Sequence, residues 1–208
     1  MAQINILTNK NLVNAESEEY FNTLRTNIQA LGNNEKVIMV SSVLDGEGKT
    51  MSAINLAISF ADLGLKTVLV DANTRNSNMA TYFKFKSNIA GLTNYLTGTD
   101  PIEDTIYESD VKNLNIIPSG PKAKNPTEIL QNKNYNIMIE VFREYYDMVI
   151  IDTPATDVID AAVVAKNTDG FIMVAEANRV KKKELESSIA QIEKVGSRCM
   201  GVVLNKVY

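Results

Sequence analysis

One short segment of the chain places two glycines, a lysine and a threonine in an order suited to holding phosphate groups. It runs Ser41-Ser42-Val43-Leu44-Asp45-Gly46-Glu47-Gly48-Lys49-Thr50, between an apolar stretch and an alanine-rich helical pattern. Glycines let backbone N–H groups approach phosphates, and the start of a helix adds the positive end of its dipole. Lys49 would reach the terminal phosphate oxygens of a nucleotide, and the Thr50 hydroxyl would bind Mg²⁺. The pattern predicts a P-loop, with Val43 in place of the usual first glycine.

Two strand-like segments elsewhere in the chain end in an aspartate. One reads Thr67-Val68-Leu69-Val70-Asp71 and the other Met148-Val149-Ile150-Ile151-Asp152. The carboxyl ends of neighbouring parallel strands converge on the ligand crevice of an open sheet, so both acids can face the metal and the phosphates. Either aspartate alone would be interpreted as a cap or turn residue, whereas the pair predicts part of the same nucleotide site.

Further residues are candidates for the same site. Arg75 follows Asp71 closely, and its guanidinium could stabilise transferred charge or form a surface salt bridge. The catalytic candidates are therefore Lys49, Asp71, Arg75 and Asp152, and the candidate metal ligands are Thr50, Asp71 and Asp152. The residues expected to surround the nucleotide from the loop and the first helical turn are Gly46, Glu47, Gly48, Lys49, Thr50 and Met51.

Composition excludes several other kinds of chemistry. The 208 residues include no histidine and a single cysteine, Cys199, which excludes internal disulfides, CxxC redox motifs and any zinc site that needs several Cys or His ligands. The net charge is -4 with both signs interspersed, so no nucleic-acid partner is expected. We see neither a secretory signal nor an apolar run of about 18 residues. A soluble cytoplasmic protein is expected, whose contact with a membrane runs through a partner.

Apolar segments alternate with helical patterns along the chain. Buried strands are expected at residues 36–42, 67–71, 148–152, 171–175 and 200–204, with a weaker one at 114–117. Helices are expected at 50–63, at 126–146 with a break, at 159–166 and at 181–195, and an amphipathic helix at about 16–31 precedes the first strand. This order predicts an α/β fold, with a mostly parallel sheet flanked by helices on both faces. We expect one domain over residues 1–208, with the helix at 16–31 as an N-terminal appendage.

These motifs together resemble the bacterial tyrosine kinases of capsular and exopolysaccharide synthesis, within the deviant P-loop ATPases that include the MinD and ParA proteins. The resemblance spans residues 19–206 and rests on SSVLDGEGKT, VLVDANTRNS and MVIIDTP, together with GLT at 91–93, NPTEIL at 125–130 and the closing VVLNK. Together these motifs are specific, whereas singly only the P-loop is.

The resemblance implies a function and a set of roles. It implies ATP-dependent, autophosphorylating transfer of the γ-phosphoryl group to tyrosine, with Mg²⁺ as the metal, in the regulation of polysaccharide chain length and export. Lys49 and Thr50 would contact phosphate and metal, and Asp71 and Asp152 would organise Mg²⁺ and activate the tyrosine. Asn205 would contact the adenine base. The implied partner is a membrane-anchored activator, the polysaccharide co-polymerase, acting through its cytoplasmic tail.

Three positions depart from the family pattern. Asn73 replaces the second aspartate of a DxD pair, and because an amide accepts no proton at neutral pH, base catalysis falls to Asp71. One arginine is missing from the ring-forming pattern E-x-x-R-x-x-R, which leaves Glu19 and Arg25 to pair between subunits of a homo-oligomer. Relatives end in a tyrosine-rich tail, whereas this sequence ends at Tyr208, either as a truncation or as the first tyrosine of a lost cluster.

Two other functions stay open at this point. One is a nucleotide-binding regulator whose catalysis has decayed, with Asn73 as the symptom. The other is an ATPase switch of the MinD or ParA type. That group carries a signature lysine early in the P-loop, at the position of Leu44, which counts against it. An iron–sulfur carrier of the same superfamily is excluded for want of cysteines.

Overall fold

A single extended sheet runs through the molecule. The computed structural model describes residues 2–6, 15–32, 35–84, 89–156 and 159–207, so Tyr208 lies outside the described residues. Within them the strands are β1 (Ala2–Ile6), β2 (Val37–Ser42), β3 (Thr67–Asp71), β4 (Phe83–Lys84), β5 (Tyr107–Ser109), β6 (Leu114–Ile117), β7 (Met148–Asp152), β8 (Gly170–Glu176) and β9 (Arg198–Asn205).

The strand order is β4-β1-β5-β6-β3-β7-β2-β8-β9. The six neighbouring strands β6-β3-β7-β2-β8-β9 are all parallel, and β1 is parallel to β5. Only the β1/β4 and β5/β6 pairs in the described sheet are antiparallel. Parallel strands end at the same edge, so β2, β3, β6 and β7 all deliver the residues that follow them to one side of the molecule.

Helices cover both faces of this sheet. They are α1 (Ala15–Leu31), α2 (Lys49–Asp62), α3 (Leu92–Leu96), α4 (Pro126–Leu130), α5 (Lys133–Tyr145), α6 (Ile159–Ala165) and α7 (Lys182–Glu193). Side chains alternate along each strand. In β2, Val37 and Met39 therefore join a buried cluster with α3 to α7, while Ile38 and Val40 join a second cluster with α1 and α2. The expected α/β fold is confirmed.

All six expected strands and the expected helices are present, and none of their ends differs from the expected one by more than two residues. The break expected within 126–146 falls at residues 131–132, where the Asn132 side chain accepts a hydrogen bond from the Asn134 N–H (3.0 Å) and caps α5. Sequence reasoning missed β1, β4, β5 and α3, each of which has five residues or fewer. The equally short β3, β6 and β7 were recognised by their runs of Val, Ile and Leu, which the three missed strands lack.

The N-terminal helix is packed against the rest of the fold. Ile28 is buried in the cluster formed with α2, and Arg25 Nη1 donates to the backbone oxygen of Ser59 in α2 (2.6 Å). Among the described residues, no helix is both long and apolar enough to cross a lipid bilayer.

Candidate active site

The loop that joins β2 to α2 has a backbone conformation that would let its N–H groups come close to a bound phosphate. Gly48 has φ +96°, and a Cβ there would lie 2.1 Å from Asn205 Nδ2, so only glycine fits. Lys49 and Thr50 follow as the first two residues of α2, both buried, and Met51 is half-buried in the same turn. Val43 is buried against the core, which explains why this loop begins with an apolar residue where a glycine is usual.

The Glu47 side chain supports the loop from inside. It is fully buried, and its Oε2 accepts from the Leu44 N–H (2.7 Å) while its Oε1 accepts from the Glu176 N–H at the end of β8 (3.0 Å). The sequence placed Glu47 at the nucleotide through its backbone and missed this supporting role. No pattern in the sequence separates an inward-facing glutamate from a solvated one in a polar loop.

The last residue of β9 and the residue that follows it hold the same loop from outside. Asn205 Nδ2 donates to the backbone oxygen of Glu47 (2.8 Å), and Lys206 Nζ donates to that of Gly46 (3.1 Å). Lys206 also forms an ion pair with Glu176 (3.0 Å). The amide of Asn205 is thus bound to the loop itself, and its expected contact with adenine stays a prediction.

Lys49 Nζ forms an ion pair with Asp45 Oδ1 (2.8 Å). The Lys49 side chain is 6% exposed and that of Asp45 is 80% exposed. Asp45 therefore sits on the solvent side of the loop, and a triphosphate entering the loop would compete with it for the ammonium group.

The two strand-end aspartates lie side by side. Asp71 and Asp152 are register partners on the adjacent strands β3 and β7, and both are buried. Burial raises the pKa of Asp71 from 3.8 to about 6, against hydrogen bonds from Ser77, Asn73 N–H and Ser119 that lower it. Burial and then the charge of Asp71 raise the pKa of Asp152 to about 8, against a hydrogen bond from Thr50 and the charge of Lys49. Two carboxylates this close resist carrying charge together without a cation.

The donor set between the loop and these acids fits Mg²⁺. Asp152 Oδ1 is buried and has no hydrogen-bond partner among the described residues, while the Thr50 hydroxyl lies against the same carboxylate. All available donors are hard oxygens, which Mg²⁺ prefers. No group of three or more His, Cys, Asp or Glu side chains gathers in the described part of the chain. Mg²⁺ that is also held by phosphates needs only one or two carboxylates.

Asn73 does not occupy the place of a second acid beside Asp71. Its Nδ2 donates to the Asn76 backbone oxygen (3.0 Å) and its Oδ1 accepts from the Asn76 N–H (3.2 Å), so the amide closes its own loop. The hydroxyl that faces Asp71 Oδ2 belongs to Ser77. Sequence reasoning missed Ser77 because it lies six residues beyond the strand, in a polar segment without a periodic pattern.

Arg75 points into an ion-paired cluster. Its Nε contacts Asp160 Oδ2 (2.5 Å) and its Nη2 contacts Asp160 Oδ1 (3.1 Å) and the Thr127 hydroxyl (2.9 Å). The Arg75 side chain is 40% exposed and that of Asp160 is 1% exposed, so the salt bridge considered from the sequence is present, with one exposed and one buried partner. The pairing neutralises the guanidinium and fixes the loop after β3 to α4 and α6. A direct catalytic role for Arg75 stays a prediction.

A family model described as an AAA domain matches residues 35–203, which contain the P-loop and both strand-end acids. The chain is 45% identical over 208 residues to the tyrosine-protein kinase CpsD of Streptococcus agalactiae serotype III (strain NEM316), covering 100% of this chain and 90% of that protein. The chain belongs to the bacterial tyrosine-protein kinases.

Solved structures agree with this family. The kinase chain is 30% identical to the kinase domain of the Escherichia coli tyrosine kinase ETK, with a TM-score of 0.87 over 91% of this chain and 75% of that one. The cell division ATPase MinD of Pyrococcus furiosus matches with a TM-score of 0.70 at 23% identity, over 82% of this chain and 71% of that one, a likeness of fold alone. The chain is therefore a protein-tyrosine kinase with a nucleotide-binding P-loop fold, as the sequence predicted.

Proposed function

We propose that this kinase transfers the γ-phosphoryl group of Mg·ATP to tyrosine hydroxyls, including those of its own chain, at the edge of the sheet where β2, β7 and β3 end. The observation that carries the proposal is the register pairing of Asp71 with Asp152 next to the buried Lys49 and Thr50. Family membership supports tyrosine as the acceptor.

The nucleotide would be held by the P-loop and the first turn of α2. Backbone N–H groups of residues 46–51 would bind phosphate oxygens, and Lys49 would leave Asp45 to contact the terminal phosphates. Thr50, Asp71 and Asp152 would hold Mg²⁺, directly or through water. The bound metal would supply positive charge against the phosphate oxygens as charge builds up in the transition state.

Asp71 would act on the acceptor. As the bond between the tyrosine oxygen and the γ-phosphorus forms and the bond to the β,γ-bridging oxygen breaks, ADP leaves and the tyrosine proton passes to the Asp71 carboxylate. Only the ionised carboxylate can accept this proton, and a Mg²⁺ bound beside the two acids would favour that ionised form. Ser77 and Ser119 hydrogen-bond this carboxylate and would hold it in place, while Asn73 supplies only its backbone N–H.

The proposal is tested by incubating the full chain with Mg²⁺ and γ-labelled ATP and mapping label by mass spectrometry. Label on tyrosine is expected, and it should vanish in Lys49→Met. Lys194→Met, a change of an exposed lysine at the end of α7, is the matched control and should leave the label unchanged. A Lys49→Met protein that labels tyrosine normally would remove the basis of the proposal.

A second candidate function, a nucleotide-binding regulator with weakened catalysis, is favoured by one observation. The amide of Asn73 is locked to Asn76 and lends no carboxylate to the site. Under this alternative ATP binds, but tyrosine label is absent both from the natural chain and from Asn73→Asp.

The cellular setting is also proposed from the resemblance. The chain would act in regulating capsular or exopolysaccharide chain length and export, as one domain in the cytoplasm, held at the membrane by the cytoplasmic tail of a membrane-anchored activator. Subunits would associate through α1, where Glu19 lies on an open polar face. Arg25 would have to exchange its bonds to Ser59 for bonds to a neighbouring subunit.

A further inference from the structure

A cleft opens beside Asp71 on the side away from the P-loop. Its volume is about 480 Å³, and its walls come from the loop after β3 and from residues 118–122 after β6. Ser77 and Ser119 line it, and both hydrogen-bond to the Asp71 carboxylate. Its floor is therefore the hydrogen-bonding shell of the proposed base.

The strand order sets this cleft opposite the phosphates. Along the sheet edge the order is β6, β3, β7, β2, so Asp71 and Asp152 lie between the cleft over β3 and β6 and the P-loop after β2. Neighbouring strands are about 4.8 Å apart, so two strand steps, roughly 10 Å, separate the strand that ends in Asp71 from the strand that leads into the loop. A γ-phosphate extending from the loop and an acceptor in the cleft would meet at the two acids.

The lining of the cleft suits a phenol. Ala80, Ile89, Pro118 and Pro121 provide apolar surface, and the serine hydroxyls lie at the inner end. Tyrosine has an apolar ring with one polar tip, which matches an apolar wall above a polar floor.

Lys122, Ala123 and Lys124 form a ridge at the rim of this cleft, and Lys122 lines the cleft itself. It also borders a second cleft of about 520 Å³, to which Lys124 contributes. Ala123, between the two lysines, donates its N–H to the Thr74 backbone oxygen (3.2 Å) and so ties the ridge to the loop after Asp71. Lys122 and Lys124 are exposed, and neither has an ion pair with another described residue.

The other charges that face these clefts leave the ridge positive. Arg75 lines the first cleft but is neutralised by Asp160. Glu128 lines the second cleft and accepts from Asn125 Nδ2 (2.8 Å). A peptide that crosses the ridge therefore meets two lysines against one glutamate, in a chain whose net charge is -4.

We propose that the cleft beside Asp71 binds the acceptor tyrosine ring and that Lys122 binds an anionic group on a neighbouring residue of the acceptor peptide. The anion is a carboxylate of Asp or Glu, or a phosphate already placed on a nearby tyrosine. This inference rests on the proposed function, since it names the acceptor side of the same site. Lys122 is a specificity-determining residue, and the cleft is the ring subsite.

The test compares three peptides that share one acceptor tyrosine and carry a glutamate, a phosphotyrosine or a glutamine beside it. With the full chain and Mg·ATP, we expect KM to be about two- to fivefold lower for the anionic peptides than for the neutral one, the range of an exposed ion pair. Lys122→Glu should abolish or reverse the preference and Lys122→Arg should keep it. Lys194→Glu, at the far end of α7, is the matched control. Whichever of the glutamate and phosphotyrosine peptides has the lower KM shows whether Lys122 prefers a carboxylate or a phosphate.

The ring subsite is tested separately with Ala80→Trp, which fills the cleft from its exposed wall. We expect KM for every peptide to rise roughly tenfold or more while the Kd for ATP is unchanged, since a filled pocket cannot take the ring. Ala190→Trp, on the exposed face of α7, is the control. Normal labelling by Ala80→Trp would overturn the placement of the ring.

Failure of this inference differs from failure of the proposed function. If peptides are labelled and Lys122→Glu keeps the wild-type preference, the Lys122 assignment is overturned while the kinase proposal stands. If no peptide is labelled, but fluorescence anisotropy shows tighter binding of the anionic peptides that Lys122→Glu removes, the cleft assignment stands and the kinase proposal falls.

Discussion

Replacing Asp152 with asparagine should remove most of the dependence of stability on pH between 6 and 8. In the wild-type chain, burial and the neighbouring Asp71 raise the pKa of Asp152 to about 8, whereas the unfolded chain has a value near 3.8. Between pH 6 and 8 the folded state therefore binds about one proton more than the unfolded state. Because this folded-state pKa is raised, the stabilising contribution is present at low pH and is lost as the pH rises through about 8.

The magnitude follows from that one proton. Stability changes by about 1.4 kcal/mol per pH unit for each proton bound differently, so the wild-type chain should lose roughly 2–3 kcal/mol of unfolding free energy between pH 6 and 8. The chain has no histidine, so no such side chain titrates in this interval. Burial raises the pKa of Cys199 above 9.0, outside the same interval.

The assay is urea unfolding, followed by circular dichroism, at several pH values for wild type and Asp152→Asn. The variant should lose less than about 1 kcal/mol over the interval and should be the more stable of the two proteins at pH 8. Saturating Mg·ATP should flatten the wild-type profile, because the metal favours the ionised pair. Parallel profiles for the two proteins would refute the claim that the acids share a buried, repulsive site.

Three further predictions concern the loops around the site. Asp45→Ala should tighten ATP binding about twofold by calorimetry, because it removes a half-exposed ion pair that competes for Lys49; unchanged affinity would show that the pair does not compete. Glu47→Gln should lower the unfolding free energy by about 2 kcal/mol, because one end of an amide cannot accept from a buried N–H; a wild-type urea midpoint would contradict the buried arrangement. Asn73→Asp should lower the unfolding free energy, measured by urea unfolding, by about 1–2 kcal/mol, and by more at pH 8 than at pH 6. The reason is that a carboxylate would face the Asn76 carbonyl and add charge beside Asp71. A gain in stability at pH 8 would contradict the observed amide geometry.

The sheet and the position of the phosphate loop could be predicted because their signals are strong and local. Runs of Val and Ile that end in Asp71 or Asp152 are typical of buried parallel strands, and the topology brings such ends together. Lys49 and Thr50 are placed by the loop pattern itself. The short elements β1, β4, β5 and α3 were missed because they depend on contacts made by the folded chain.

The supporting side chains of the site could not be predicted. Whether Glu47 faces inward, whether Asn73 bonds to Asn76 or turns to the metal, and whether Ser77 reaches Asp71 all depend on loop conformation. The same holds for Arg75, whose partner Asp160 is 85 residues away in the sequence. Such contacts between distant residues leave no spacing signature in a single sequence.

The proposed role of Asp71 is to take the tyrosine proton at a site where the P-loop holds Mg·ATP. It is tested most directly by single-turnover transfer from γ-labelled ATP to a tyrosine peptide, for wild type and Asp71→Asn, with the ATP Kd measured in parallel. We predict a rate at least about 100-fold lower in the variant at Mg²⁺ and ATP concentrations that saturate both proteins, so that weaker metal binding does not account for the loss. Transfer by Asp71→Asn at the wild-type rate would contradict the claim.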